Sequence, residues 1–251
     1  MELGVVTTRD TCRSDLETRA EKCVVAPQVI VVIAAFNEAS VIEGVVRDIR
    51  QSYPNVVVVD DGSLDGTAAC ALASGAVVLR HLVNLGQGAA LQTGITYALA
   101  RGGEFVVTFD ADGQHACADI ARMVSALTEH DADVALGSRF LGKAVGISIA
   151  RRMLLRLAVL FTRLTTGLKV TDAHNGLRVF TRAAAMKIQI TQNRMAHASE
   201  LLDQVARHKM RYMEVAVTIS YTSHSMAKGQ TLLGAVDIVG DLILGKLARG
   251  N

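Results

Sequence analysis

The sequence predicts an α/β fold in which a doubly wound, mostly parallel sheet is flanked by helices. Short runs of β-branched residues alternate with segments of helical periodicity, at the spacing that strand–helix–strand units need. The first run, QVIVVIAA at 28–35, is apolar throughout, which is typical of a strand buried on both faces. Ligands of such sheets bind beyond the carboxyl ends of the strands, so functional residues are expected directly after each run.

The first half of the chain contains five such runs with four helical segments between them. The predicted strands cover 28–35, 55–60, 76–81, 104–110 and 132–138. The predicted helices cover 38–51, 65–74, 88–100 and 117–129. Because strand and helix alternate throughout this half, the sheet is predicted to be parallel.

The second half follows a looser pattern. A basic amphipathic helix is predicted over 148–166, and a strand over 177–180, two helices and a strand over 211–221 follow it. The sequence shows no internal repeat and no long linker, which indicates a single domain. The division is then a loosely ordered charged leader, one domain and an apolar C-terminal helix, at 1–26, 27–229 and 230–251.

The charges of the chain are unevenly distributed. The formal net charge is only +2, but the window from Val134 to Thr171 contains seven basic residues and no Asp or Glu. A block of one sign indicates an anionic partner, here a phosphate group or a membrane surface rather than nucleic acid. The four cysteines lack zinc-ligand spacing, which favours free thiols in a reducing compartment. No apolar run reaches the roughly 18 residues that span a bilayer.

Two aspartates follow the fourth strand, at Asp110 and Asp112. Side chains alternate along an extended chain, so both carboxylates are expected on the same side at the carboxyl edge of the sheet. Two such carboxylates repel each other unless a cation lies beside them, and their hard oxygen atoms suit Mg²⁺ or Mn²⁺. Such an ion could hold a diphosphate and stabilise it as a leaving group.

Acidic residues also follow the first two strands. Glu38 comes after strand one, and Asp60 and Asp61 end strand two. Their carboxylates could accept hydrogen bonds from a nucleobase or a ribose hydroxyl. Alternatively, Asp61-Gly62-Ser63 is only a turn and a helix N-cap, for which these residue types are favoured.

Several motifs together resemble the family 2 glycosyltransferases of GT-A type. They are FNEA at 36–39, DDGSLDGT at 60–67, NLGQGAALQTG at 84–94, DADGQH at 110–115 and GSRF at 137–140. Within that family the chain is most similar to dolichyl-phosphate mannose synthases and bacterial polyprenyl-phosphate glycosyltransferases, over about residues 28–230. The resemblance implies a metal-dependent, inverting transfer of a sugar from a GDP- or UDP-sugar to a polyprenyl phosphate.

The resemblance also implies roles for individual residues. The catalytic residues are expected to be Asp110, Asp112 and Arg139, and the metal ligands Asp110, Asp112 and Gln114. The donor site is expected to contain Ala35, Asn37, Glu38, Asp60, Asp61, Gly88, Asp110, Ala111 and Lys228. The acceptor phosphate is expected to bind Arg139, Arg151 and Arg152. Two positions depart from the family pattern, since Leu155 replaces a serine and Gln87 replaces a lysine.

Two further positions have alternative interpretations. Asp172, Asn175, Gly176 and Arg178 resemble the D-x-x-(S/N)-G-x-R element of polyprenyl-phosphate enzymes, or form only a turn with Asn175-Gly176 at positive φ. Glu200 lies where many family members have a general base. A phosphate acceptor is already ionised near neutral pH and needs no base, so Glu200 could instead be a packing or Arg-pairing residue.

These observations predict a peripheral enzyme at the cytoplasmic face of a membrane, bound through the basic helix. The apolar C-terminal stretch is free to pack against the domain or against a small membrane subunit. Two alternatives stay open. One is a family 2 enzyme whose acceptor is a glycan or another hydroxyl compound, which would require a base such as Glu200. The other is a catalytically silent, membrane-associated binding subunit that has kept the fold.

Overall fold

The computed structural model describes residues 28–193 and 196–221. The leader at 1–26, the C-terminal helix at 230–251 and Lys228 lie outside the described residues, so the expectations for them stay predictions.

Seven strands form one sheet in the order β3-β2-β1-β4-β6-β5-β7. The strands are β1 Val29–Ala35, β2 Val56–Asp60, β3 Val77–Arg80, β4 Phe105–Asp110, β5 Val134–Val145, β6 Arg178–Thr181 and β7 Tyr212–Ser220. All neighbours are parallel except β6, which runs antiparallel to both β4 and β5. The prediction of a mostly parallel sheet is confirmed.

The strand order reverses between β1 and β4. Strands β2 and β3 extend the sheet on one side of β1, whereas the later strands extend it beyond β4. The connections therefore leave these two neighbouring strands in opposite directions and open a crevice at their carboxyl ends, where ligands of open α/β sheets bind. Asn37 and Asp110 lie at these two ends.

Seven helices lie in the described residues. They are α1 Ile42–Arg50, α2 Thr67–Ala73, α3 Gln87–Ala100, α4 Ala118–Glu129, α5 Ile149–Thr166, α6 Arg182–Ala185 and α7 His197–Arg207. Ser148 caps the start of the basic helix α5, and its side chain accepts a hydrogen bond from the backbone N–H of Arg151. Gly167 caps the end of the helix with a φ of 75°. Within the described ranges, no helix has both the length and the apolar character needed to cross a bilayer.

Two elements differ from the expected bounds by more than two residues. Helix α1 was expected from residue 38 but begins at Ile42, because the chain turns first and the backbone N–H groups of Val41 and Ile42 both donate to the carbonyl of Glu38. Strand β5 was expected to end at 138 but continues to Val145. Its extension pairs with β7 beyond an irregularity between Ser138 and Lys143, a long-range pairing that the local sequence does not indicate.

Both faces of the sheet are covered, as the apolar run of β1 predicts. Val31 and Ile33 point to a core shared with α1 and α4, where they join buried residues such as Ile42 and Met123. Ile30 and Val32 point to the opposite core, which includes the buried Leu91, Ile95, Leu201 and Leu202. Alternation along one strand thus fills both layers.

Helix α3 packs very close to β1 and β2 at Gly94. A Cβ atom there would lie 2.2 Å from Cγ1 of Val32 and 3.2 Å from Cγ2 of Val59. Both valines are fully buried and β-branched, so neither can move aside easily. By contrast, Gly44 in α1 is exposed and has open space around its α-carbon.

We expect Gly94→Ala to lower the free energy of unfolding by about 1–3 kcal/mol through overpacking, despite the better helix propensity of alanine. The matched control Gly44→Ala should raise it by about 0.5–1 kcal/mol, because propensity acts there alone. Urea denaturation followed by circular dichroism measures both. Equal stability of the two variants would contradict the close packing of α3.

Candidate active site

The loops after β1 and β2 are joined into one rim beside the crevice. Asn37 has a φ of 54°; its backbone N–H donates to Oγ of Ser63 at 2.9 Å, and its Oδ1 accepts from the backbone of Leu64 at 2.9 Å. The backbone N–H of Glu38 donates to Oγ1 of Thr67 at 2.8 Å. Short polar side chains therefore hold the two loops together, with the buried Ala35 below them at the end of β1.

Asp60 is completely buried at the end of β2. Its Oδ1 accepts from the backbone N–H of Ser63 at 3.1 Å, and Nε of Arg80 lies 3.1 Å from its Oδ2. Arg80 is largely exposed, so this ion pair closes the outer side of the carboxylate. Contact between Asp60 and a donor nucleoside stays a prediction.

Asp61 organises the loop between β3 and α3. Its two carboxylate oxygens accept from the backbone N–H groups of Leu85 at 3.0 Å and Gly86 at 2.7 Å, and Nδ1 of His81 lies 2.7 Å from Oδ1. Gly62 follows with a φ of 72°, and a Cβ there would meet the backbone of Val83 at 2.6 Å. These contacts fit the turn interpretation of this segment, and they hold the 81–86 loop against the rim. The expectation of a helix N-cap here is wrong, because α2 has Gly66 at its N-cap and no side-chain cap bond.

Asp110 lies at the end of β4, inside the crevice. Its Oδ2 is 2.8 Å from Nε2 of His115, and its Oδ1 accepts from the side-chain amide of Gln87 at 3.3 Å. The His115 ring is buried and packs edge-on against Phe109. Burial favours the neutral carboxyl, but the hydrogen bond and charge of His115, with further help from His197 and Arg178, outweigh it. The pKa of Asp110 is therefore below its usual value.

Gly176 touches the other side of the Asp110 carboxylate. A Cβ at Gly176 would lie only 2.1 Å from Oδ2 and 2.2 Å from Oδ1 of Asp110. The expectation that Asn175 and Gly176 have positive φ is wrong, because neither adopts that conformation. The glycine is required by the close approach of the carboxylate, so the D-x-x-N-G-x-R element belongs to the site. Its Arg178 is buried behind Asp110, where burial lowers its pKa to about 10 against the opposing effect of Asp110 and Asp172.

Asp112 lies two residues farther along the loop. Burial, repulsion by the ionised Asp110 and, more weakly, Glu38 raise its pKa to about 6, although the backbone N–H of Gln114 donates to its Oδ1 at 3.1 Å. Ionisation of one carboxylate thus disfavours ionisation of the other in this crevice, and a divalent cation would offset that repulsion.

The residues present fit Mg²⁺ or Mn²⁺. Within the described part of the chain, no group of three His, Cys, Asp or Glu side chains forms a complete cation site. Mg²⁺ is usually held by one or two carboxylates together with substrate phosphates and water. Asp110 and Asp112 supply such a pair, and the side-chain oxygen of Gln114, two residues on, could add a third ligand.

Arg139 is buried in β5 and bonded to the segment that carries Asp172. Its Nε is 2.6 Å from Oδ2 of Asp172, one Nη donates to the carbonyl of His174 and the other to the hydroxyl of Tyr221, both at 2.7 Å. Burial disfavours its charge, but Asp172 and Tyr221 more than compensate and raise its pKa. These contacts use three of the five guanidinium N–H donors.

Arg151 and Arg152 do not converge. The guanidinium of Arg151 lies over the ring of Tyr221, 4.9 Å from the centroid, and Arg139 bonds to the hydroxyl of the same tyrosine. Arg152 instead lines a separate cleft on α5. Adjacent helical residues point about 100° apart, which explains the separation. Tyr221 was not expected from the sequence, since a single aromatic residue after the last strand carries no recognisable signal.

Two further residues singled out from the sequence, Gly88 and Glu200, contact the segment at 191–193. The backbone N–H of Gly88 donates to the carbonyl of Asn193 at 2.8 Å, and a Cβ at Gly88 would lie 2.0 Å from the carbonyl oxygen of Gln192. Glu200 is buried and accepts from the backbone of Gln192 at 2.8 Å and from both the backbone and the hydroxyl of Thr191. Glu200 thus anchors this segment, which in turn packs on the start of α3.

Comparisons with known proteins agree with this fold. Residues 30–189 match the family described as Glycosyl transferase family 2. The chain is 30% identical to a UDP-N-acetylglucosamine–dolichyl-phosphate N-acetylglucosaminyltransferase of Methanococcus voltae, over 88% of this chain and 97% of that protein. It is also 30% identical to an undecaprenyl-phosphate mannosyltransferase of Micrococcus luteus, over 76% of this chain and 83% of that protein.

A solved structure shares the fold at lower sequence identity. The glucosyl-3-phosphoglycerate synthase of Mycobacterium tuberculosis, in complex with Mn²⁺ and uridine-diphosphate-glucose, aligns with a TM-score of 0.68. The two chains are 22% identical, and the alignment covers 89% of this chain and 79% of that one. The expectation of a GT-A type fold is confirmed.

The opposite pKa shifts of the two aspartates predict opposite stability effects. Asp112 has a raised pKa, so its ionisation costs stability above about pH 6, and Asp112→Asn should raise the free energy of unfolding at about pH 7.5 by on the order of 1–2 kcal/mol. That gain should shrink as the pH falls from about 6 to 4, where wild type also becomes neutral. Asp110 has a lowered pKa, so its charge stabilises the fold above its unfolded value, and Asp110→Asn should lose stability at about pH 7.5.

Urea titrations of the metal-free protein at several pH values measure these effects. Equal shifts in the same direction for both variants would contradict the division of roles between the two carboxylates.

Proposed function

This chain belongs to glycosyl transferase family 2, and from that premise we propose that it moves a sugar from a nucleotide-sugar donor to a polyprenyl phosphate at a membrane. The observation that carries the proposal is the carboxylate pair Asp110 and Asp112, at the reversal point of the sheet, with one pKa lowered and the other raised to about 6. A crevice that places two carboxylates close together is suited to binding a divalent cation together with a diphosphate.

The proposed reaction is an inverting displacement. An oxygen of the acceptor phosphate forms a bond to the anomeric carbon, while the bond from that carbon to the β-phosphate oxygen breaks and its electron pair leaves with the nucleoside diphosphate. A bound Mg²⁺ or Mn²⁺ would supply positive charge against the charge that develops on the leaving diphosphate. Asp110, Asp112 and Gln114 are the residues proposed to hold it, and His115 and Gln87 keep Asp110 oriented.

The donor is proposed to lie along the rim formed by the loops after β1 and β2. The relative from Methanococcus voltae is named for a UDP-sugar, and the structurally similar synthase binds uridine-diphosphate-glucose with Mn²⁺. These likenesses support a UDP-sugar here, and a GDP-sugar is the other donor that the family resemblance implies. The residues proposed to contact it are Ala35, Asn37, Glu38, Asp60, Asp61, Gly88, Asp110, Ala111 and, outside the described residues, Lys228.

The acceptor phosphate is proposed to bind between Arg139 and Arg151, which both contact Tyr221. Arg139 keeps two N–H donors beyond its contacts within the fold, and Arg151 leans over the same ring. Both relatives named above act on polyprenyl phosphates by name, dolichyl phosphate in one and undecaprenyl phosphate in the other. Arg152 points into a different cleft, so we leave it out of this site.

A hydroxyl acceptor is the second candidate, and Glu200 would then be the base. Its carboxylate already accepts three hydrogen bonds from Thr191 and Gln192. Each of these bonds occupies a lone pair that a base needs. This arrangement favours the phosphate acceptor, which needs no base. The catalytically silent subunit would leave the crowded carboxylates without a purpose.

The enzyme is proposed to act as a peripheral protein at the cytoplasmic membrane face. Helix α5 carries four arginines and an apolar row whose members are each at least 53% exposed, namely Ile149, Met153, Leu157, Leu160 and Leu164. Such a helix can lie in the headgroup region of a bilayer. A small membrane subunit could cover part of the same surface.

Asp112→Ala should abolish transfer, which means a rate at least about a hundredfold lower. The metal would lose a protein ligand and with it the stabilisation, several kcal/mol in the transition state, that it gives the leaving diphosphate. Asp110→Ala and Gln114→Ala should impair it. The rate is followed as labelled sugar passing from the nucleotide-sugar to polyprenyl phosphate at saturating Mn²⁺. Asp131→Ala, which removes an exposed acid paired with Arg211, is the control. Near-normal turnover of Asp112→Ala would exclude this metal site.

Arg151→Ala should raise the KM for polyprenyl phosphate by about tenfold or more, because a charge-assisted contact to phosphate contributes about 1.5–3 kcal/mol. The KM for the donor should change little. Arg152→Ala, at the neighbouring position, is the matched control and should affect both constants weakly when the acceptor is presented in detergent. Equal effects of Arg151→Ala on donor and acceptor would refute its place in the acceptor site.

A further inference from the structure

Helix α5 presents a second cationic site, distinct from the one around Tyr221. A cleft of about 300 Å³ lies along the helix and is lined by Phe140, Arg152, Arg156, Val159, Leu160, Arg163 and Thr171. Three of these seven residues are arginines and none is acidic. The arginines follow one another at intervals of four and seven residues, so they share one side of the helix.

The arginines of the cleft have no acidic partner within the described ranges. Arg163 is oriented by its Nε, which donates to the carbonyl of Val170 at 2.7 Å. The hydroxyl of Thr171 is already bonded to Ser138 and Glu214, and the Glu214 carboxylate accepts from the backbone N–H groups of Thr171 and Asp172. The acid that contacts this lining residue is thus engaged by the 171–172 segment, and all three arginines are exposed.

The cleft adjoins the exposed apolar row of the same helix. Leu160 belongs to both, and Met153 and Leu157 lie one residue beyond Arg152 and Arg156, respectively. A free anion would require only the arginines. An exposed apolar row beside a cationic cleft fits a ligand that has both a charged head and a hydrocarbon part, as a phospholipid does.

We propose that this cleft binds the phosphodiester headgroup of an anionic membrane lipid, while the apolar row enters the bilayer. The lipid is a membrane component and not the acceptor, whose phosphate is assigned to Arg139 and Arg151. The inference deepens the proposed function, on which it rests only in placing α5 at a membrane. Arginine suits this role because its planar fork contacts two phosphate oxygens at once.

The test is binding of the full chain to phosphatidylcholine vesicles with and without phosphatidylglycerol, in the absence of donor and of polyprenyl phosphate. We expect phosphatidylglycerol to raise binding strongly and Arg156→Gln to lower the partition coefficient at least about tenfold. Lys143→Gln is the matched control, since Lys143 is exposed in the same basic window but lies outside the cleft. It should cost no more than the roughly fivefold of one diffuse surface charge. Arg156→Lys should recover only part of the binding.

Three outcomes would overturn the inference. Equal losses for Arg156→Gln and Lys143→Gln would mean diffuse attraction without a headgroup site. Binding that ignores phosphatidylglycerol would mean a purely apolar contact. Binding of soluble glycerol phosphate by thermal shift, sensitive to Arg156→Gln, combined with no vesicle binding would assign the cleft to a free phosphate compound.

Transfer to detergent-solubilised polyprenyl phosphate separates this inference from the proposed function. Arg156→Gln should keep wild-type transfer rates in detergent while losing vesicle binding. If wild type binds vesicles as expected but transfers no sugar, the proposed function fails and the headgroup site stands.

Discussion

The contacts of the Asp110 carboxylate determine how the rest of the crevice is arranged. His115 holds one oxygen, Gln87 the other, and Gly176 lets the carboxylate lie against the backbone of a distant segment. These contacts favour the ionised form of Asp110, and its negative charge in turn disfavours ionisation of Asp112. The metal-free enzyme is thus less stable than it could be, which is a common consequence of preparing a binding site. A bound divalent cation would supply the charge of opposite sign that relieves this repulsion.

Three sets of long-range contacts connect the surroundings of Asp110 to the outer loops and to α5. Asn37 and Ser63 join the loops of β1 and β2, and Asp61 adds the loop that leads into α3. On the other side, the antiparallel strand β6 begins directly after the segment that touches Asp110, so the sheet itself fixes the position of Gly176. Arg139 and Tyr221 then connect that segment to β7 and to α5. The helix proposed to meet the membrane is therefore linked to the carboxylates through a few buried polar contacts.

Much of this structure could be predicted from the sequence. The strands begin and end near the expected residues, because apolar β-branched runs bounded by turns are a strong local signal. The Asp110 and Asp112 pair was recognisable from its place after a buried strand. Features that depend on distant pairing were not recognisable: the reversed strand β6, the extension of β5 along β7, and the contact of Gly176 with Asp110. The separation of Arg151 from Arg152 could have been expected, since helical periodicity alone points neighbours apart.

The central claim is that one crevice binds a divalent cation and a nucleoside diphosphate together. The most direct measurement is thermal unfolding of wild type and Asp112→Asn with UDP or GDP, each with Mn²⁺ or with a chelator. Ligands that bind the native state raise its melting temperature according to their affinity. The account predicts that one of the nucleotides stabilises wild type much more with Mn²⁺ than with chelator, and that Asp112→Asn loses this synergy. Stabilisation that is independent of the metal, or equal in both proteins, would contradict it.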